Sequence, residues 1–167
     1  MVLTKPELIG MLQNEVRILL HLITKIDPAA VDYRPTEKQR STIELLRYLS
    51  LMGPVLVKSA LSGTFEQAEW GARAEAVKTA DLAAITAVIA TQADEYVALL
   101  ANVPDEAFRG EVEMFGRKNS VGGFIVSTVL NGCAAYRTQL FCYLKACGRT
   151  ELGTMNLWAG IDPTPAA

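Results

Sequence analysis

The strongest constraint in this sequence is the helical period of its apolar residues. Leu8, Met11, Leu12, Leu19, Leu22, Ile23 and Ile26 fall on one stripe when each residue turns by about 100°. The segment opens at Thr4-Lys5-Pro6-Glu7, a cap residue with proline close behind, which predicts a first helix running to about Ile26. Asn14, Arg17, His21 and Lys25 lie on its polar side. A second helix opens at "STIE", where Ser41 and Glu44 have capping-box spacing. It turns Leu45, Leu46, Leu49, Met52 and Leu56 inward and stops at Gly63. Pro54 inside this pattern predicts a kink or break near Gly53. A third helix spans about Asp81 to Asn102 and is ended by Pro104. A fourth starts after Asn119-Ser120 and reaches Gly148, which stands where a C-terminal glycine cap belongs.

The connections "DPAAVDYRPTEKQR", "TFEQAEWGARAEAVK" and "PDEAFRGEVEMFGRK" are long for a compact bundle, and such loops often carry function. Within the last, Glu111-Val112-Glu113-Met114 alternates polar and apolar, which permits a short strand. The tail "LWAGIDPTPAA" is expected to pack Trp158 against the bundle and to fray after Pro163. A chain of 167 residues suits one domain, and no repeat or second domain is visible. A net charge of −2 makes nucleic acid an unsuitable partner. The N-terminal residues lack a secretion signal, so a cytoplasmic protein is expected. Asn119 to Tyr136 carries no formal charge, but its polar residues favour a buried helix over a membrane span. Cys133, Cys142 and Cys147 have neither CxxC nor zinc-finger spacing, as expected of reduced core thiols.

On the fourth helix, Ile125, Val129, Gly132, Tyr136, Gln139, Tyr143 and Cys147 share a band of about 80°, so Gly132, Tyr136 and Gln139 are co-facial. Tyr48 lies at the flank of the second helix's apolar stripe. Glu15 falls in phase with the core of the first helix, where a carboxylate must be paired, hydrogen-bonded or protonated. His21 and Arg137 are expected on solvated helix faces, with Arg137 also available to contact an anion.

The order of elements, "STIELLRYL" in the second helix, the "N-x4-YRTQL" run of the fourth and the closing "LWAGID" resemble the DinB-like superfamily over nearly the whole chain. The resemblance implies an all-α, up-down four-helix bundle with long inter-helix loops. It also implies a divalent metal held by three histidines, in patterns like "ll-x-HL" and "NH-x3-HRGQ". Here Tyr48, Gly132 and Tyr136 stand at those three positions, while Asn131, Arg137 and Gln139 match the flanks. No metal and no other cofactor is therefore expected, since glycine has no donor and phenols are poor ligands for ordinary divalent ions.

The tyrosines can fill the space of metal and imidazoles, bonded to each other, to Glu15 or to Gln139. They can equally line a pocket that orients a small molecule. Glu15, Tyr48, Gly132, Cys133, Tyr136 and Gln139 are the ligand-pocket candidates. A non-catalytic small-molecule-binding or interaction protein, in the form of a homodimer, is the favoured reading. The alternative is an enzyme like the thiol transferases or hydrolases of the superfamily, using non-standard metal ligands or acid–base chemistry by Glu15 with Tyr48 and Tyr136. No serine, cysteine or lysine is predicted beside a histidine base on an inward face, so a nucleophilic mechanism lacks support.

Overall fold

The computed structural model describes residues 3–163, which form six α-helices and one two-stranded hairpin. Helix α1 (Lys5–Ile23) begins with a full capping box between Thr4 and Glu7. Helix α2 (Thr42–Ser62) begins with another between Ser41 and Glu44, and ends at Gly63, whose φ of 78° is the left-handed conformation that glycine adopts without strain. Helix α3 (Gln67–Val77) is followed by α4 (Leu82–Leu100), where the Asp81 side chain accepts from the Ala84 amide. Strands β1 (Glu111–Met114) and β2 (Arg117–Ser120) pair antiparallel. Helix α5 (Val121–Phe124), a π-helical stretch (Ile125–Leu130) and α6 (Asn131–Ala146) follow one another as a single rod.

Side-chain contacts fix the direction of each rod. Lys5, at the start of α1, donates to the carbonyls of Ala101 and Val103 at the end of α4, and Gln13 donates to Ala93, so α1 and α4 run oppositely. Gln92 donates to Leu49, and Tyr96 sits over Gly53, so α2 and α4 run the same way. Tyr48 meets Tyr136, and Met52 lies beside Gly132, so α6 runs against α2. The order is up, down, down, up. Two consecutive parallel rods need a crossover, and α3 supplies it. The long connection "TFEQAEWGARAEAVK", expected as a loop, is thus largely a helix. It is tied down by the chain Lys58–Glu69–Arg73–Glu95, which links α2 and α4 through α3.

The core is a continuous apolar cluster that includes Leu12, Leu22, Leu45, Leu46, Met52, Ile85, Ile89, Ile125 and Leu140. Helix α2 passes through Pro54 without the predicted break. Every residue from Leu49 to Val57 is buried, so packing on all sides holds the turn that the missing amide would loosen. Gly53 is required there, because a methyl group would run into the Tyr96 hydroxyl. Helix α4 is long and apolar enough by composition to cross a membrane, and the described residues contain one such helix. It turns Ile85, Ile89, Gln92, Tyr96 and Leu100 into the bundle.

The π-helical stretch explains where the predicted inward face went astray. A wide turn accommodates an extra residue and shifts every later side chain by about one position. The buried residues of α6 are accordingly Arg137, Leu140, Tyr143 and Leu144, while Gly132, Tyr136 and Gln139 sit at the half-buried flank. Arg137, expected on the surface, is 5% exposed. Three further expectations are corrected. Trp158 is 69% exposed instead of packed, because the tail is anchored by Asn156 and by backbone carbonyls that accept from Arg17 and Arg137. His21 is sheltered beside Asn156, 3.1 Å away, rather than solvated. Cys142 is exposed, whereas Cys133 and Cys147 are partly buried. The predicted fraying after Pro163 concerns residues outside those described.

Candidate functional site

Tyr48 and Tyr136 face each other across the α2–α6 interface, with ring centroids 5.0 Å apart and planes at 68°. One turn away, a side chain added at Gly132 would meet the Met52 thioether, with Cε at 3.3 Å. The three positions therefore converge on one spot, as the sequence patterns imply. They form part of the wall of an open cleft of about 930 Å³, bounded by α2, the hairpin, the π-helical stretch and α6. Met114, Phe115, Arg117, Lys118 and Asn119 close it from the hairpin side, and Phe124, Ser127 and Thr128 from the helix side.

Aromatic contacts extend from the cleft wall. Tyr48 meets Trp70 edge to face at 5.8 Å, and Trp70 meets Phe65 at 5.5 Å. Phe65 meets Phe115 at 5.7 Å, and Phe115 stacks on Phe124 at 6.2 Å. The Arg40 guanidinium lies 4.2 Å from the Tyr48 ring centroid, a cation–π contact. Burial, with the Tyr136 hydroxyl beside it, pushes the Tyr48 phenol well above its ordinary range. Both effects favour a neutral phenol over a phenolate ligand.

The other sequence candidates lie elsewhere. Glu15 and Cys133 line a separate, partly enclosed void of about 10 Å³, with Gln92 and Leu49. Glu15 pairs with Arg137 at 3.3 Å, and burial holds its carboxyl above the usual range despite that partner. Burial also pushes the Cys133 thiol up to about 12, with Glu15 adding to the effect, so little thiolate exists at neutral pH. Gln139 donates to the Tyr143 hydroxyl, which in turn donates to the Arg40 carbonyl at 3.0 Å. That chain ties α6 to the loop before α2, and neither Gln139 nor Tyr143 lines the cleft. The hairpin residues Phe115, Arg117 and Asn119 were missed as site residues. The signal available for them was the length of their loop.

The donor set does not suit a divalent ion. Two phenols and a bare α-carbon occupy the converging positions, and the described residues contain no group of three or more His, Cys, Asp or Glu that could hold one.

No protein-family model matches the sequence, and no curated protein is significantly similar to it. The crystal structure of YjoA, a DinB-like protein from Bacillus subtilis, is similar to 87% of this chain and 94% of its own, with a TM-score of 0.66 and 19% identity. The chain therefore has the all-α fold of a DinB-like protein.

Proposed function

We propose that this is a non-catalytic, metal-independent small-molecule-binding protein, and that the cleft between α2, α6 and the hairpin is its binding site. One observation carries the reading. Tyr48, Gly132 and Tyr136 converge not on a filled core but on the wall of a cleft of about 930 Å³. Its lining of apolar and aromatic side chains with a few hydroxyl, amide and cationic groups is the usual make-up of a ligand pocket. The acid–base alternative needs Glu15 to work with the tyrosines, yet Glu15 opens onto the inner void beside Gln92 and Cys133.

A symmetric homodimer belongs to the same proposal. The large apolar side chains left exposed are Met11 on α1, Val88 and Val97 on α4, Phe115 in the hairpin turn, and Met155, Trp158 and Ile161 in the C-terminal segment, with none among the described residues of the fourth rod. The exposed face of α4 carries Ala83, Ala84, Ala87, Ala90 and Ala98 alongside Val88, Thr91, Asp94 and Val97, and its small side chains let a second copy approach closely.

The binding reading is tested by recording amide NMR spectra of the full chain against a library of small aromatic and polar compounds. Shifts clustered at Tyr48, Phe115, Gly132 and Tyr136 support it. A library from which no compound moves those amides contradicts it.

A further inference from the structure

The hairpin gives the cleft a chemical preference, a deduction that rests on the cleft being a binding site. Cross-strand partners share a face, so the pairs Met114↔Arg117 and Val112↔Asn119 point one way, and Glu111↔Ser120 and Glu113↔Lys118 the other. Val112 and Met114 are buried against the bundle, which identifies the first face as the inner one. Arg117 therefore starts from the cleft side, and it lines the cleft. Lys118 starts from the other face and also reaches the cleft lining, but its charge is engaged by Glu111 at 3.2 Å and Glu113 at 3.8 Å. Arg117 makes no ion pair among the described residues, and the cleft lining includes no aspartate or glutamate. An unpaired guanidinium in a cleft whose lining has no acid favours an anion.

The turn joining the strands points to the rest of the ligand. Phe115 and Gly116 have φ of 53° and 71°, the double left-handed geometry of a two-residue hairpin, in which asparagine or glycine is at ease at the first position. A phenylalanine there is strained, and the residue is 63% exposed where it lines the cleft. Its contacts with Phe65 and Phe124 leave most of the residue in water, and backbone outliers of this kind cluster at ligand sites. Its ring stacks on Phe124, while Tyr48 and Tyr136 stand elsewhere on the wall of the same cleft.

We infer that the cleft binds a planar aromatic carboxylate, its ring held by Phe115, Tyr48 and Tyr136 and its carboxylate paired with Arg117. A planar guanidinium can meet a carboxylate through two parallel N–H donors, and ring faces favour offset-stacked or edge-to-face partners.

The test is calorimetric titration of the full chain with 2-naphthoate, 2-naphthamide and cyclohexanecarboxylate, repeated on Arg117→Gln and Phe115→Ala. Both positions are exposed, and the melting transition of each variant verifies its fold. The expected result is that 2-naphthoate binds about tenfold more tightly than either control, the difference that one charge-assisted contact supplies. Arg117→Gln then lowers 2-naphthoate to the level of 2-naphthamide and leaves 2-naphthamide unchanged, while Phe115→Ala weakens both aromatic ligands. Equal binding of 2-naphthoate and 2-naphthamide, or an Arg117→Gln variant indistinguishable from the parent, overturns the carboxylate assignment. If none of the three binds while other compounds shift the cleft amides, the ligand class is wrong and the cleft reading survives. If no compound shifts those amides, the cleft reading itself has failed.

Discussion

Tyr48 and Tyr136 meet edge to face across the α2–α6 interface, and burial together with that contact keeps the Tyr48 phenol neutral above its ordinary range. Below about pH 10 the phenol is neutral in both folded and unfolded chains, so it adds no pH dependence there. Above that, the unfolded chain loses the proton first and stability falls. Melting temperature followed from pH 8 to 11 is expected to drop more steeply in the parent than in Tyr48→Phe. Parallel curves would mean that Tyr48 titrates normally.

A second relationship, between Glu15 and Arg137, predicts coupling. Glu15 Oε2 and Arg137 Nε are buried, 3.3 Å apart, and neither has a hydrogen-bond partner. Removing either partner leaves a buried charge, so Glu15→Met and Arg137→Met are each expected to cost about 3 kcal/mol. The double variant is expected to cost less than the sum, as denaturant unfolding of all four proteins will reveal. Burial outweighs Arg137 in raising the Glu15 carboxyl. The folded chain therefore holds that proton more tightly than the unfolded one, and acidification toward the carboxylate range favours the fold in the parent relative to Glu15→Gln. Additive costs or identical pH profiles would contradict this account.

The four long rods were legible because each carries its own local signals. Thr4–Glu7 and Ser41–Glu44 form the capping boxes their spacing implies, Asp81 and Ser120 cap the next two rods, and Gly63 and Gly148 stop at positive φ. Helix α3 was not legible because Val77 is its one buried residue, leaving almost no apolar period to read. At the site, the sequence patterns located Tyr48, Gly132 and Tyr136, and these do converge. The local phase of α6 could not be read, because nothing in Ile125–Leu130 announces a π-helical turn, and that turn is what puts Arg137 in the core. The register that aims Arg117 into the cleft depends on a hairpin of which one strand was anticipated.

Strain at Phe115 makes a prediction independent of any ligand. Phe115→Asn creates an Asn-Gly turn and relieves a left-handed conformation that costs a non-glycine residue about 1–2 kcal/mol. The ring's contacts with Phe65 and Phe124 are lost, but it is mostly exposed. The variant is expected to melt no lower than the parent while binding aromatic ligands more weakly. A clear fall in melting temperature would make Phe115 a structural residue.

The homodimer proposal predicts twice the chain mass in light scattering at tens of micromolar. Val88→Glu and Val97→Glu together, both at exposed positions on α4, are expected to yield a folded monomer. A parent of monomer mass would contradict the proposal.

The central claim is that Tyr48, Gly132 and Tyr136 converge at the cleft and hold no metal as they stand. Elemental analysis tests it most directly, on the parent and the Tyr48→His, Gly132→His, Tyr136→His triple variant purified side by side. The Met52 thioether beside position 132 is the flexible end of a side chain and can yield to an imidazole. The account predicts less than stoichiometric zinc, nickel and iron in the parent, and about one equivalent in the folded triple variant, whose three imidazoles complete a usual ligand set. One equivalent of metal bound by the parent at these positions, or a folded variant with no more metal than the parent, would contradict it.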